Sequence, residues 1–174
     1  MMVHPAEKAG LFYSARAGID WGIANLSRIP DSLIAVIGRF SIAAVFWLSG
    51  QTKIEGFAID LVQGQFSLGI PRLSDSAVTL FQYEYALPLL PPACAATLAA
   101  TAEHVFPALL LLGLATRFSA LALLGMTTVI QIFVYPGAYA THGVWAAVLL
   151  FLIAKGPGTL SIDHWIKRRY GLNG

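Results

Sequence analysis

The stretch Leu98–Phe118, LAATAEHVFPALLLLGLATRF, decides how the whole chain is read. It is apolar enough to lie in lipid, yet Glu103 and His104 stand side by side near its middle. A charged side chain at that depth costs roughly 3 kcal/mol or more unless neighbouring helices supply partners, so such residues face a bundle interior. The rest of the chain is therefore read as the surroundings of this pair. Composition agrees. Over 174 residues the mean hydropathy is +0.69 and only 11% of residues are charged, against roughly 25% in soluble domains. A polytopic membrane protein is indicated. The net charge of +2 does not point to nucleic acid, because the basic residues flank apolar runs, where they set topology. A single cysteine, Cys94, excludes an internal disulfide or a Cys-x-x-Cys redox pair.

Outward from this span, taken as about 93–114, Ala95, Ala96, Ala99 and Ala100 give it a face that another helix can approach closely. The first spanning candidate is 33–50. Arg39, Ala43, Phe46, Gly50 and Lys53 recur there at spacings of three and four and form one stripe. Charged at two depths, that stripe should face protein. Between the two spans, 51–92 is too long for a turn and too polar to cross twice. Ile54, Phe57, Ala58, Leu61 and Val62 make one amphipathic turn pattern, and Ala77, Phe81 and Tyr85 another. The segment is read as a capping loop of short helices on the outer surface, ended by Pro88, Pro91 and Pro92. A third span is expected over 118–135. A fourth starts near Gly143 and reaches full length only if Ala138 to His142 lie in the interface and Lys155 snorkels.

The expected fold class is all-α, a polytopic membrane four-helix bundle over 33–165. A cytoplasmic or interfacial segment over 1–32 precedes it, with Ile19, Ile23 and Leu26 at helical spacing, and a basic tail over 166–174 follows. No long apolar core marks 1–32 as a removed signal peptide. Lys8, Arg16 and Arg28 precede the first span, Arg117 joins the second and third, and Lys155, Lys167, Arg168 and Arg169 follow the fourth. The segment 51–92 carries Glu55, Asp60, Asp75 and Glu84 instead. The positive-inside rule then places both termini in the cytoplasm.

Counted from that side at ~1.5 Å per residue, Arg39 lies about 9 Å deep, and Glu103, His104, Thr127 and Thr128 about 14 Å. Arg39 is thus expected to reach Glu103, with Thr127 or Thr128 on the remaining lone pairs. These five residues are the candidate intramembrane polar site. Lys53, His142 and Trp145 form a second candidate at the outer rim. An Arg39–Glu103 bridge can be purely structural or can handle protons, and the residue types allow both. His104 and His142 stand at different depths, which disfavours a bis-histidine haem or one shared ion. No catalytic residue or metal set is assigned.

Three stretches in order, GRFSIAAVFWLSGQTK from Gly38, AEHVFPALLLLGLATRFSALAL from Ala102 and GPGTLSID from Gly156, resemble the DoxX family of small four-helix bacterial membrane proteins. Arg39, Gly50 and Lys53 match its first-helix pattern. Glu103, Gly113, Thr116 and Arg117 match its second-helix pattern, and Gly156, Pro157, Gly158, Ser161 and Asp163 match its end. The resemblance implies a multi-pass protein of the bacterial cytoplasmic membrane. It also implies redox-linked physiology, since the family is named for a small subunit associated with archaeal thiosulfate:quinone oxidoreductase. The stretch THGVWAAVLLFLIAKGPGTLSIDH is also similar to members found with systems that make modified copper-binding peptides.

Two function classes follow. The first is a quinone-associated accessory subunit. Quinone carbonyls need hydrogen-bond donors at a lipid-accessible site and reduction needs protons, which His104 with Glu103, or His142 with Trp145, would supply. The sequence has no haem, flavin, iron–sulfur or nicotinamide motif, so electrons would come from a partner. The second class is a non-catalytic scaffold or docking subunit bound to another membrane protein or to a second copy. Transport is weaker, since four helices leave little room for alternating access and no repeat is visible.

Overall fold

The computed structural model describes the backbone of residues 5–60 and 64–171, and side chains within those ranges from Arg16 onward. Leu61 and Val62, read above as part of a turn pattern, lie outside the described residues. The elements are α1 (Pro5–Leu26), α2 (Asp31–Gln51), β1 (Ile54–Asp60), β2 (Gln65–Leu73), α3 (Asp75–Leu80), α4 (Pro92–Leu112), α5 (Thr116–Val129), α6 (Tyr139–Lys155) and α7 (Ile162–Tyr170). Among the described residues four runs are long and apolar enough to cross a membrane: Asp31–Gln51, Pro92–Leu112, Thr116–Val134 and Pro136–Lys155. The chain forms the expected all-α membrane four-helix bundle. The fourth run exceeds the uncharged stretch from Gly143, because Pro136 opens a 3-10 turn that leads straight into α6.

Packing follows the small residues. Helix α2 packs most extensively on α4, and α5 on α6. All five residues of the α2 stripe are buried, from Arg39 and Ala43 through Phe46 and Gly50 to Lys53. On α4 the buried set Ala96, Ala100, Glu103, Pro107 and Leu110 repeats at three and four, so the two seams face each other. In lipid, where tails are as apolar as Leu, helices are held by such close packing and by interhelical polar contacts. Gly50 marks a close approach, since a Cβ there would stand 2.8 Å from His104 Cε1 and 3.0 Å from Glu103 Cβ. The core continues through Ile42, Phe46, Leu110, Leu123, Leu149 and Leu152. Ile37, Phe40, Leu98, Leu111 and Leu121 are exposed, as lipid-facing side chains should be.

The cap departs in part from the expected string of short helices. β1 and β2 pair as an antiparallel hairpin, Phe57 opposite Leu68 and Ile59 opposite Phe66, with an irregularity between Glu55 and Phe57. Phe66, Leu68 and Ile70 alternate with smaller or polar residues, a period-2 signal that outweighs the helical spacing of Ile54, Phe57 and Ala58. The hairpin closes at its base, where Ser74 N–H donates to Lys53 O at 3.0 Å. The second half is helical as expected. Ser74 Oγ caps α3 by accepting the Ala77 N–H at 3.1 Å, and a π-turn over Phe81–Tyr85 follows, with Phe81 packed on Ala95 and Ala96.

Candidate functional site

The polar centre of the bundle is an ion pair between Lys53 and Glu103. Lys53 Nζ lies 2.7 Å from Glu103 Oε2, and both side chains are 4% exposed. Lys53 also donates to Ser49 O at 3.1 Å and to Ser49 Oγ at 3.0 Å, while Ser49 Oγ donates to Glu103 Oε1 at 3.1 Å. The ammonium thereby has three oxygen neighbours, matching its three donors, and each carboxylate oxygen has one partner. Lys53 follows the last turn of α2, so its side chain folds back along the helix to reach Ser49, four residues earlier.

Arg39 does not meet Glu103. It lies opposite Leu110, donating to Leu110 O at 3.4 Å and to Leu160 O at 2.5 Å. Gly50, the residue opposite Glu103, is three turns further along α2, roughly 16 Å at 1.5 Å per residue. The depth count fails because it set the helix ends level. The first turns of α4, through Ala95 and Ala96, instead rise past the end of α2 to pack under the cap. Lys53, assigned to the outer rim, is therefore the true partner. Thr127 and Thr128 are not ligands of the pair either, since their hydroxyls donate to Leu123 O and Leu124 O of their own helix, each at 2.8 Å.

His104 belongs to a second network, which ties the hairpin to the bundle. Its Nδ1 is 2.6 Å from Ala100 O, and its Nε2 is 2.7 Å from Gln51 Nε2. A carbonyl only accepts, so Nδ1 carries the proton. Gln51 Oε1 accepts the Ile59 N–H at 2.8 Å, which fixes the amide so that its nitrogen donates to Nε2. Trp47 Nε1 donates to Ile59 O at 2.9 Å, and its ring stands edge-on to His104 at 5.0 Å. Beside this network, between the hairpin and α4, lies a groove of about 740 Å³ lined by residues including Trp47, Phe57, Leu68, Arg72, Thr101 and His104. Replacing Gln51 by alanine removes the link between strand and imidazole. Amide exchange across Ile54–Asp60 should then accelerate about fivefold, the loss of one hydrogen bond of ~1 kcal/mol. Unchanged exchange would show that Trp47 alone holds the strand.

His142 and Trp145 sit apart from Lys53. His142 is buried, its Nδ1 2.7 Å from Gln131 Oε1, and Gln131 Nε2 donates to Pro136 O at 2.7 Å. Trp145 packs between His142 and Phe46, with ring centroids at 5.1 and 5.6 Å. Between the cap and the end of the third span, the Tyr135 hydroxyl donates to the Glu84 carboxylate. That bond raises the Tyr135 phenol above its usual range.

The opposite end of the bundle is closed by Asp163. Gly113 and Ala115 both take positive φ in the tight α4–α5 turn, which exposes the first amides of α5. Asp163 accepts them, Ala115 N–H at 2.8 Å and Thr116 N–H at 2.9 Å, and its own N–H donates to Gly113 O at 2.9 Å. Ser161 Oγ caps α7 through the His164 N–H at 3.1 Å, and the Thr159 N–H reaches Ser32 Oγ at 3.1 Å.

A family model described as DoxX matches residues 34–136. The chain belongs to the DoxX family. A Haemophilus influenzae relative described as an uncharacterized protein is 31% identical over 154 residues, covering 84% of this chain and 91% of its own length. No solved structure matches. The residues that carried the DoxX resemblance fall into two groups. Gly50, Lys53 and Glu103 gather at the hairpin end, where they join α2 to α4. Arg39, Gly113, Thr116, Arg117 and the run Gly156–Asp163 gather at the other end, where they fasten the α4–α5 turn to the loop after α6. The spacing showed neither Gln51, Ser49 and Trp47 nor the groove. The available signal was an amide and an indole within one turn of the end of an apolar helix, each needing a buried partner.

Proposed function

We propose that this multi-pass DoxX protein is an accessory subunit in quinone-linked physiology of the bacterial cytoplasmic membrane. In this reading an isoprenoid quinone sits in the groove between the hairpin and α4. The observation that carries it is the groove itself, whose volume of about 740 Å³ falls in the usual range for small-molecule sites. Phe57 and Leu68 offer apolar faces. The Arg72 guanidinium, exposed and without a polar partner among the described residues, would donate to a quinone carbonyl. Val105, lining the groove, and nearby Leu98 are about half exposed, so a prenyl tail has an apolar way out toward lipid. His104 lines the groove and would be the first group to exchange a proton with a bound headgroup. Taking up a proton at Nε2 would break its bond from Gln51, and giving one up would take the Nδ1 proton from Ala100 O. Electrons would come from a partner, and Phe66 and Ile70, exposed on β2, offer that partner an apolar strand face. Both termini lie in the cytoplasm in this reading, supported by the basic residues at that end.

The test is fluorescence of the full chain in nanodiscs titrated with a short-chain ubiquinone or menaquinone. Quinones quench indole emission at close range, and Trp47 lines the groove. Saturable quenching that disappears in Trp47→Phe, and weakens in Thr101→Phe, which fills the groove without adding an indole, is expected. Equal quenching with and without Trp47, or none that saturates, would remove the groove as the quinone site.

A further inference from the structure

We propose that the groove at the Asp163 end seats the phosphodiester headgroup of one anionic phospholipid. This concavity, about 610 Å³, is lined by Arg117, Lys155, His164 and Lys167, with Phe118 and Asp163 among the other walls. Both oxygens of Asp163, the only carboxylate in the lining among the described residues, are engaged by the Ala115 and Thr116 amides, and Arg39 is near enough to interact with it electrostatically. Lys155 shares Asp31 at 3.0 Å, but both side chains are more than half exposed, so that pair is weak. Among the described residues the Arg117 guanidinium donates to Ala154 O at 3.4 Å, a small part of its five donors. The groove is therefore a positive concavity whose own acid is already occupied.

Its setting selects a lipid over a free anion. The cations cluster at the ends of the Thr116–Val134 and Pro136–Lys155 runs, the level at which headgroups lie. Phe118, Leu160 and Trp165 around it are 65%, 73% and 63% exposed, offering apolar contact to acyl chains and an indole at the interface. Two of the walls approach closely, since a Cβ on Gly158 would stand 2.9 Å from Ser32 Cα and the Thr159 N–H donates to Ser32 Oγ. Basic pockets at helix ends are known to hold anionic headgroups, whereas the diffuse pull of a polybasic tail is not site-specific.

Native mass spectrometry of the delipidated full chain, reloaded with phosphatidylglycerol or phosphatidylcholine, tests the proposal. One retained phosphatidylglycerol and little phosphatidylcholine are expected. Arg117→Gln and Lys167→Gln should each lower retention about fivefold, from ~1 kcal/mol per basic side chain near the headgroup. Arg168→Gln/Arg169→Gln, on the same helix but outside the lining, should retain it. Lys167 lies outside the spans, so its variant reports even if Arg117→Gln folds poorly. Equal retention of the two lipids, loss in the Arg168/Arg169 variant equal to that in Lys167→Gln, or displacement by millimolar inorganic phosphate alone would overturn a lipid site. These outcomes point respectively to apolar adhesion, diffuse attraction and a small-anion site.

Discussion

Replacing Lys53 by methionine is expected to lower the apparent Tm of the detergent-solubilised protein by about 10 °C. Removing one member of a buried pair typically costs 3–5 kcal/mol, because the other charge is left uncompensated. For a chain of this size ~1 kcal/mol moves Tm by about 2–4 °C. In the variant, Glu103 keeps the Ser49 hydroxyl, at 3.1 Å, as its one hydrogen-bond partner among the described residues. The double replacement Lys53→Met/Glu103→Gln removes both charges and should recover most of the loss, since a buried pair exchanged for neutral groups of similar volume is often tolerated. Arg39→Gln with Glu103→Gln should instead give additive losses, because the two residues share no partner. A Lys53→Met protein that melts like wild type, or coupling that follows Arg39, would reject the geometry. The same double variant separates structure from chemistry. If it folds and still shows Trp47 quenching, the ion pair fastens α2 to α4 and leaves binding to the groove.

Much of this was legible in the sequence because lipid imposes a simple rule. Polar side chains in an apolar run must turn inward, so the Arg39-to-Lys53 stripe and Glu103 predicted which sides of α2 and α4 would meet, whereas Ala95 and Ala99 of the small-residue face pack under the cap. Which charge met which was not legible. That depends on how far one antiparallel helix slides past the other, and the slide is set by the cap packing on Ala95 and Ala96, a tertiary contact with no local signature. The hairpin was hidden for a related reason. Ile54, Phe57 and Ala58 fit a helical turn as well as a strand, and only the alternation of Phe66, Leu68 and Ile70 in the partner strand resolves them. His104 was singled out beside Glu103 as a buried polar group, but it is only half-buried, and its role depends on Gln51, whose amide faces it only once Ile59 has fixed its oxygen. Asp163 was recognised as part of a motif, while its work as an acceptor for two α5 amides depends on the chain returning across the bundle end.

Gly113→Ala should be about as damaging as the Lys53 change, and for reasons confined to the other end. Gly113 has φ +64, a conformation that costs an L-residue roughly 1–2 kcal/mol. A Cβ there would also overlap Arg39 Nη1 and stand 2.5 Å from Ser161 Cβ, and relieving such overpacking costs typically 1–3 kcal/mol. The displacement would not stay local. Gly113 O holds the Asp163 N–H, and Asp163 holds both exposed amides of α5, so moving the turn loosens the attachment of α7. Two readouts should therefore change together: the apparent Tm should fall by about 10 °C, and trypsin should cut faster at Lys167, Arg168 and Arg169. Gly125→Ala is the control, since its Cβ would meet nothing within 4 Å and alanine gains up to ~1 kcal/mol of helix propensity. If Gly113→Ala kept both the Tm and the protease resistance of the wild type, Arg39 and Ser161 would have room to move aside. The packed closure of this end would then be looser than its distances indicate.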